Sequence, residues 1–512
     1  MNQSSSGGHF PPQMGWLPLT IAVGLTAIIA IFAVVPQFQN KTVGVVAAGG
    51  QVNGNGGPAA GPSGQAAAAA NVPDQAGPAG GLNKSASGGP NGQQQSGATC
   101  ASGQNGGSTG APGVSGTTIQ IASTIVTSGI GAGFLGEAVN GMQAAINQVN
   151  NSGGVCGRRI TLNTLNSGWD RTQGGSDISG FVNSGKVFAL VGEPDSEGLA
   201  GAIENGTIDR AQIPVVGTDG MLKDQYNDPW VWPVAASTVT NMHVIAQYAV
   251  SRAGKNAKFG IVYDTRYKFG PEGATAFDTE LYRLTGKHIS GYDQQGSCGG
   301  AFCGISSDQQ GGYSDNISAF NRACAPCDVV VMLLEPSPML NWITGENNCS
   351  CQWYKTLYGG EPLFDDNFAT QCGGPCGGMI VWTGYHPDLQ PFDSEQAVYT
   401  YAHSLSAQCP SCDPHNEFTE GAYLGTRLFI EACKRVGPNL TRDALKAALD
   451  SSTPFDLGLS SAPLKYTASL PHLANSAMAG FVDNASGSFN NWSYVSTQPR
   501  FIADPDPGKD LQ

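Results

Sequence analysis

The chain has 512 residues and a formal net charge of −14 at pH 7, with 39 acidic and 25 basic side chains. This acidity argues against a nucleic-acid-binding protein, because phosphate contacts need clustered lysine and arginine. The 13 cysteines favour a protein that folds outside the cytoplasm, where disulfides form and persist.

The first element in chain order is an apolar segment without charged residues at 16–35. About 20 residues at about 1.5 Å each span a hydrocarbon core of about 30 Å. We therefore predict a transmembrane helix at 16–36, after a short tail at 1–15. A signal peptide is the alternative, but its apolar region is usually about 7–15 residues long and follows basic residues.

The next segment, 37–116, is rich in glycine, alanine, glutamine, asparagine and proline and is almost uncharged. Such a composition buries too little apolar surface to fold. It predicts a disordered linker that tethers a folded region at 117–502, which a tail at 503–512 follows. The cysteines place the folded region on the extracytoplasmic side of the cell membrane.

Strands and helices alternate in the folded region. The first unit is a strand at 118–122, an amphipathic helix that ends in NNSGG at 150–154, and a strand at 160–162. Later strands, such as 187–191 and 329–334, are short and continuously apolar, as in parallel sheets that helices cover on both faces. The units are too many for one sheet, so we predict an α/β fold with two doubly wound Rossmann-like lobes and a ligand cleft.

Ten of the cysteines form five closely spaced pairs: Cys298/Cys303, Cys324/Cys327, Cys349/Cys351, Cys372/Cys376 and Cys409/Cys412. Zinc binding by the two CxxC pairs is one interpretation. Disulfides are the other, and we favour them because the two CxxC pairs lie far apart and the pairs sit in Gly/Pro-rich loops. Cys156 is a candidate partner for Cys100, and Cys433, in the apolar helix pattern FIEACKRV, is predicted to be buried and free.

The order of these motifs carries a family resemblance. A strand, a long helix ending in NNSGG and a second strand are followed by FALVG, IPVVGTDG, KFGIVYD and DVVVMLLEP. Over about residues 117–500 this order resembles the leucine/isoleucine/valine-binding type of periplasmic solute-binding protein, the type I fold. The resemblance implies one lobe at about 117–237 and 386–456, a second at about 238–385 and 457–502, and a ligand between them.

In the family, the loop after the third strand offers a serine hydroxyl and backbone N–H groups to a ligand carboxylate, and Ser196 matches that serine. The alternative is that Asp195 or Ser196 only caps the next helix. Glu193, Asp195 and Glu197 crowd the same loop, which disfavours a negatively charged ligand group.

Further ligand contacts are implied by the resemblance after later strands. Thr218, Asp219 and Gly220 form the next cleft loop of the first lobe, with a plain β-to-α turn as the alternative. In the second lobe Phe269 matches an aromatic residue that packs on the ligand, although a lone aromatic near a strand end is more often core.

Two glutamates are candidate partners for a ligand ammonium group. Glu335 ends the strand VVVMLLE, where the family often places a ligand contact. Glu361 in YGGEP is the nearest match to the family's acidic ammonium partner, but we favour its interpretation as an exposed surface glutamate.

The resemblance implies a membrane-tethered, extracytoplasmic solute-binding protein that passes a small polar ligand, an amino acid or an amide, to an ABC permease. No GxSxG, HExxH, Walker A or GxGxxG signature follows a suitable strand, so no enzyme activity, catalytic residue, cofactor or metal is predicted. A sensor or interaction ectodomain on the same fold is the main alternative. Metal or redox chemistry at the cysteines is a third.

Overall fold

The computed structural model describes residues 106–349, 352–473, 477–483, 492–495 and 501–511. The predicted tail at 1–15, the transmembrane helix at 16–36 and most of the linker lie outside the described residues. Within the described ranges, no helix has the length and apolar character that a membrane crossing needs.

The first lobe is built on a parallel sheet. Its described strands are β1 Thr118–Ile125, β2 Arg159–Asn166, β3 Ala189–Val191, β4 Val215–Thr218 and β5 Val231–Pro233. They lie in the order β2-β1-β3-β4-β5. Ile121 of β1 pairs with Leu162 on one side and Ala189 on the other, so the carboxyl ends of all these strands point to one edge of the sheet.

Helices cover this sheet on both faces. They are α1 Ala132–Leu135, α2 Ala138–Asn151, α3 Arg171–Asn183, α4 Ser196–Glu204, α5 Thr207–Ala211 and α6 Asp224–Asn227. The end of α2 agrees with the NNSGG motif, because Gly153 and Gly154 both have positive φ angles that glycine adopts at little cost.

The second lobe has its own sheet. Its described strands are β6 Phe259–Asp264, β7 Phe302–Ile305, β8 Cys327–Leu333, β9 Tyr354–Gly359, β10 Ile380–Thr383, β11 Ala477–Asp483, β12 Trp492–Tyr494 and β13 Ile502–Ala503. The order is β12-β11-β10-β9-β8-β6-β7, with β13 paired to β11. Strands β6 to β10 run parallel, whereas β11 is antiparallel to β10.

The helices of the second lobe are α7 Thr238–Ala253, α8 Phe269–Thr285, α9 Ser314–Cys324, α10 Pro336–Cys349 and α11 Asp366–Cys372. Short 3-10 turns lie at Tyr292–Gln294, Glu361–Leu363 and Gly374–Cys376. Ser237 caps α7, since its hydroxyl accepts a hydrogen bond from Thr240 N at 3.0 Å, in agreement with the preference for serine at this position.

The chain then returns to the first lobe through α12 Gln396–Gln408, α13 Glu417–Val436 and α14 Arg442–Leu449. Helix α13 packs against α2 and β4. The approach is close, because a Cβ on Gly217 would lie 2.0 Å from the Cα of Gly425. These two sheets and their covering helices confirm the two-lobe α/β fold that the alternation of elements predicted.

The last crossing to the second lobe comes later in the chain than residue 457, the boundary that the resemblance implied. Tyr466 still donates its hydroxyl hydrogen bond to Pro233 O at 2.6 Å, and His472 N donates to Tyr226 O at 2.8 Å. Both acceptors belong to the first lobe. The segment therefore stays on the first lobe until it approaches β11.

The end of the predicted linker lies against the first lobe. Gly106 N donates to Cys156 O at 2.9 Å, and Val114 is buried. The guanidinium of Arg158, itself buried, donates to the carbonyls of Ser115 and Gly107. Packing against the domain thus begins before residue 117.

Short disulfides secure the loops of both lobes. The bonded pairs among the described residues include Cys298–Cys303, Cys324–Cys327, Cys372–Cys376 and Cys409–Cys412. Cys156 is also disulfide-bonded, while its candidate partner Cys100 lies outside the described residues, as does Cys351 of the predicted pair Cys349/Cys351. Cys433 is free and buried, as predicted. The pairing supports the disulfide interpretation over zinc binding by the CxxC motifs.

Candidate ligand-binding site

An aromatic stack joins the two lobes. Trp169, in the loop after β2, lies flat on Tyr267, in the loop after β6, with ring centroids 3.9 Å apart and an angle of 26°. Phe269 lies against the same indole at 5.8 Å. Trp169 is 1 % exposed and has a φ of 65°, a conformation that costs a non-glycine residue about 1–3 kcal/mol and is found at ligand clamps.

Polar contacts also cross from one lobe to the other. Lys268 N donates to Glu197 Oε1 at 2.7 Å, and its ammonium group pairs with Asp224 and with Glu204. On the same side, Lys223 N donates to Glu272 Oε2 at 3.2 Å. These contacts hold the lobes in a closed arrangement.

A small cavity lies between the lobes at the carboxyl ends of strands from both sheets. It has about 10 Å³ of space, which is room for about one water molecule. The first lobe contributes most of the lining, and the second contributes Glu361 and Tyr385: Gly192, Glu193, Pro194, Asp219, Met221, Ala236, Glu361, Tyr385, Glu417, Phe418, Gly421 and Ala422.

The lining is acidic. Glu193, Asp219, Glu361 and Glu417 bring four carboxyl groups to the cavity, and its described lining contains no lysine or arginine. Oxygen atoms of three of these groups, Asp219 Oδ2, Glu361 Oε2 and Glu417 Oε2, are buried without a hydrogen-bond partner. Buried carboxyl oxygens without partners are costly, so the site is incomplete without a donor.

The pKa values of these groups reflect the missing counter-charge. Burial raises the pKa of Asp219 to about 7 and that of Glu361 to about 7. The pKa of Glu417 is raised well above its ordinary value by burial and then by repulsion from Glu361. Glu193 behaves similarly, because burial raises its pKa and Asp195 raises it further. A cation in the cavity would lower these pKa values and favour the ionised form of the carboxyl groups.

Each acid is held by its own element. Glu193 accepts hydrogen bonds from the backbone N–H of Thr124 at 3.1 Å and from its hydroxyl. Glu417 opens α13, where the side chain of Asn416 caps the helix by accepting from Thr419 N at 2.9 Å. A positively charged nitrogen with several N–H donors would satisfy this arrangement through charge-assisted hydrogen bonds.

Among the predicted contacts of the first lobe, Asp219 lines the cavity. Ser196 lies under the indole instead and accepts a hydrogen bond from Trp169 Nε1 at 3.1 Å. Asp195 caps α4, since its carboxylate accepts from Gly198 N at 2.9 Å. The capping alternative therefore holds for Asp195, and the Ser196 hydroxyl positions Trp169.

The loop that contains Thr218, Asp219 and Gly220 is folded onto Gln225. The Thr218 hydroxyl donates to Gln225 Oε1, and Gly220 N donates to the same oxygen at 3.0 Å. Gln225 Nε2 in turn donates to Asp219 Oδ1 at 2.8 Å. The polar groups of this loop are thus satisfied internally, apart from Asp219 Oδ2.

Neither of the two ligand contacts predicted for the second lobe, Phe269 and Glu335, lines the cavity. Phe269 is buried against Trp169, and Glu335 is buried outside the cavity, next to Asp264. Burial, and then the charge of Asp264, raises the pKa of Glu335 well above its ordinary value. Glu361 is 5 % exposed and lines the cavity, so its interpretation as an exposed surface residue was wrong.

Trp169, Tyr385 and Glu417 are site residues that were not predicted from the sequence. Glu417 and Glu420, three positions apart, interrupt the apolar face of α13 with buried carboxyl groups, and this is a signal that the sequence contained. Trp169 had no comparable signal, because its place depends on the loop after β6 on the other lobe.

Comparison with known proteins gives a family and a fold. The family model described as "Periplasmic binding protein" matches residues 118–483, well over half of the chain. No curated protein matches the chain significantly.

Solved structures share the architecture at low sequence identity. A possible leucine/isoleucine/valine-binding protein from Rhodopirellula baltica is 16% identical with a TM-score of 0.63, over 74% of this chain and 96% of that one. A fatty acid ABC transporter substrate-binding protein from Thermomonospora curvata is 16% identical with a TM-score of 0.63, over 78% and 95%. A branched-chain amino acid transporter substrate-binding protein from Streptococcus pneumoniae, in complex with isoleucine, is 15% identical with a TM-score of 0.60, over 74% and 99%.

Proposed function

Because the chain belongs to the periplasmic binding protein family, we propose that it is an extracytoplasmic solute-binding protein that captures a small polar ligand between its lobes for an ABC permease. Related structures come from proteins described as binding branched-chain amino acids and fatty acids. These two ligand classes have different polar groups, so the residues of this chain's own cleft have to indicate which class applies.

The observation that carries the proposal is the acidic cavity between the lobes. Carboxyl groups from both lobes converge there, with Asp219 on one side and Glu361 on the other. A ligand ammonium group that bridged them would hold the lobes together. Because the cavity has only about 10 Å³ of space, the lobes have to open further to admit the rest of the ligand.

The same residues indicate the group of the ligand that is recognised. Unpartnered carboxyl oxygens need N–H or O–H donors, and an ammonium group supplies them together with the missing positive charge. A fatty acid, or another carboxylic acid without an ammonium group, would only add a negative charge to a site that has no described basic side chain in its lining. The ligand is therefore an amine or an amino acid, with a neutral amide as the weaker alternative.

A thermal-shift series on the full-length chain in detergent tests this proposal. It compares small alkylamines, amino acids, amides and carboxylic acids of similar size at pH 8. A ligand at 100 times its dissociation constant adds about 2.7 kcal/mol of stability, and we expect this from amines or amino acids. Stabilisation by carboxylic acids alone, or by no member of the series, would contradict the proposal.

Membrane tethering is the second part of the proposal. The uncharged segment at 16–36 and the almost uncharged linker that follows it support a domain held near its permease. Fractionation of cells that express either the full chain or a chain lacking 1–36 tests the tether. A membrane anchor predicts that only the full chain is retained in the membrane fraction.

A further inference from the structure

A second cluster of polar side chains lies in a groove of about 1000 Å³. Asp366, at the start of α11, comes from the second lobe, whereas Asp413 and His415, in the loop before α13, come from the first. One ligand atom from each of the three lies within 4.8 Å of the others, and all three residues are buried. The cluster therefore spans the junction of the lobes, separate from the acidic cavity.

The distances in the cluster suit a metal ion. His415 Nδ1 lies 3.0 Å from Asp366 Oδ2 and 3.4 Å from Asp413 Oδ1. Imidazole nitrogen and carboxylate oxygen bind zinc at about 2.0–2.2 Å, and in a tetrahedral site two such ligands lie about 3.3–3.5 Å apart. The separations come close to those around one small cation.

One oxygen of the cluster has no partner of its own. Asp366 Oδ1 is buried without a hydrogen bond, and the residue is 7 % exposed. A buried carboxylate oxygen in this state normally has a cation, a water or a donor as its partner. Asp366 thus has a free oxygen besides Oδ2, the atom that lies 3.0 Å from His415 Nδ1, and this free oxygen supports a further ligand on Asp366.

The surrounding hydrogen bonds orient the three side chains. His415 Nε2 lies 3.1 Å from Asp388 O, and Nδ1 lies 3.0 Å from Asp366 Oδ2. Both acceptors are oxygens, so a cation that binds at Nδ1 displaces the proton that Nδ1 donates to Asp366. Backbone N–H groups of Asp366 and His415 donate to the Asp413 carboxylate, each at 2.8 Å. Such outer hydrogen bonds to a histidine and to the carboxylates are typical of metal sites.

The charge of the groove also favours a cation. Asp388 and Asp393 line it together with the cluster, and its described lining contains no lysine or arginine. Three protein ligands that face an open groove leave a position for water or for an exchangeable ligand. We propose that Asp366, Asp413 and His415 bind a divalent cation of the zinc type, which links the two lobes.

Zinc titration of the full-length chain in detergent, after treatment with EDTA, tests the proposal. We expect one Zn²⁺ per chain by calorimetry and by metal analysis after dialysis. Asp366→Asn and His415→Ala should each weaken zinc binding at least about 10-fold, since even outer-shell changes at zinc sites cost about 10–100-fold. Asp393→Asn, in the same groove, and His403→Ala, exposed on α12, are the matched controls and should keep wild-type affinity.

Cobalt binding to the wild-type protein tests the proposed coordination without any substitution. Wild-type protein should show the visible d–d absorption of a tetrahedral Co²⁺ site, which Zn²⁺ removes at one equivalent. The proposal is overturned if wild-type protein takes up neither metal, or if the ligand variants bind zinc as well as the controls do. An intense thiolate-to-cobalt band would place the ion on cysteine and would overturn it too.

Discussion

Replacement of Glu361 by glutamine removes one ionisable group from the acidic cavity and leaves its shape nearly unchanged. The side chain is buried in the closed cleft, and Glu361 Oε2 has no hydrogen-bond partner. Burial raises its pKa from 4.5 to about 7. The folded protein therefore holds a proton on this group over a pH range in which the unfolded chain has already lost it.

The sign and size of the effect follow from this difference. Because the folded state binds the proton more tightly, stability falls as pH rises from about 4.5 to about 7, and the loss is complete above pH 7. A shift of about 2.5 pKa units corresponds to about 3 kcal/mol. Glutamine resembles the protonated acid, so Glu361→Gln should be more stable than wild type at pH 8, by on the order of 2–3 kcal/mol, and about equal at pH 4.5.

Urea denaturation without ligand, at pH 4.5 and at pH 8, measures both values. The control is Glu431→Gln on the outer part of α13, where the side chain is 39% exposed; it should follow the pH dependence of the wild type. If Glu361→Gln were no more stable than wild type at pH 8, the carboxyl group would not be the destabilising element that its burial implies. The same variant should weaken amine binding in the thermal-shift series.

Three further substitutions test other parts of the closed domain. Trp169→Phe removes the hydrogen bond to Ser196 and part of the stacked ring area, so we expect at least about 1 kcal/mol of destabilisation by urea titration. An unchanged stability would mean that neither contact contributes. Gly425→Ala places a Cβ 2.3 Å from Gly217 O. It should lower the free energy of unfolding by more than about 3 kcal/mol, or leave no folded protein by circular dichroism. An unchanged urea midpoint would refute the close packing. Asn416→Ala removes the cap of α13 and should lower the free energy of unfolding by about 1–2 kcal/mol, with a Gly substitution at the same position costing less.

Local patterns were sufficient for much of the fold. The apolar period of α2 and the glycines that end it predicted the first β-α-β unit, because helix length, cap and strand alternation are all set within a few residues of sequence. The disulfides at Cys298–Cys303 and Cys409–Cys412 were also visible in the sequence, since each closes a loop of a few residues.

The site was less predictable, because its members are far apart in the chain. The loops after the strands were expected to face the cleft, and Asp219 does. Thr218 and Ser196 instead use their hydroxyls inside the first lobe, on Gln225 and Trp169. A polar side chain at a strand end can either bond to a neighbour within its lobe or remain unpaired in the cleft. The outcome depends on hydrogen-bond partners that a single strand-end motif does not reveal.

The sequence by itself determined the α/β alternation, the glycine-rich end of α2 and the disulfide-closed loops, because each depends on contacts between near neighbours in the chain. Only the tertiary structure brought Glu193, Asp219, Glu361 and Glu417 around one cavity and Asp366 beside His415. The physical reason is burial: Asp219, Glu361 and Glu417 have raised pKa values and unpaired oxygens because tertiary packing removes them from water without a counter-charge. Asp366 likewise has a buried oxygen without a hydrogen-bond partner.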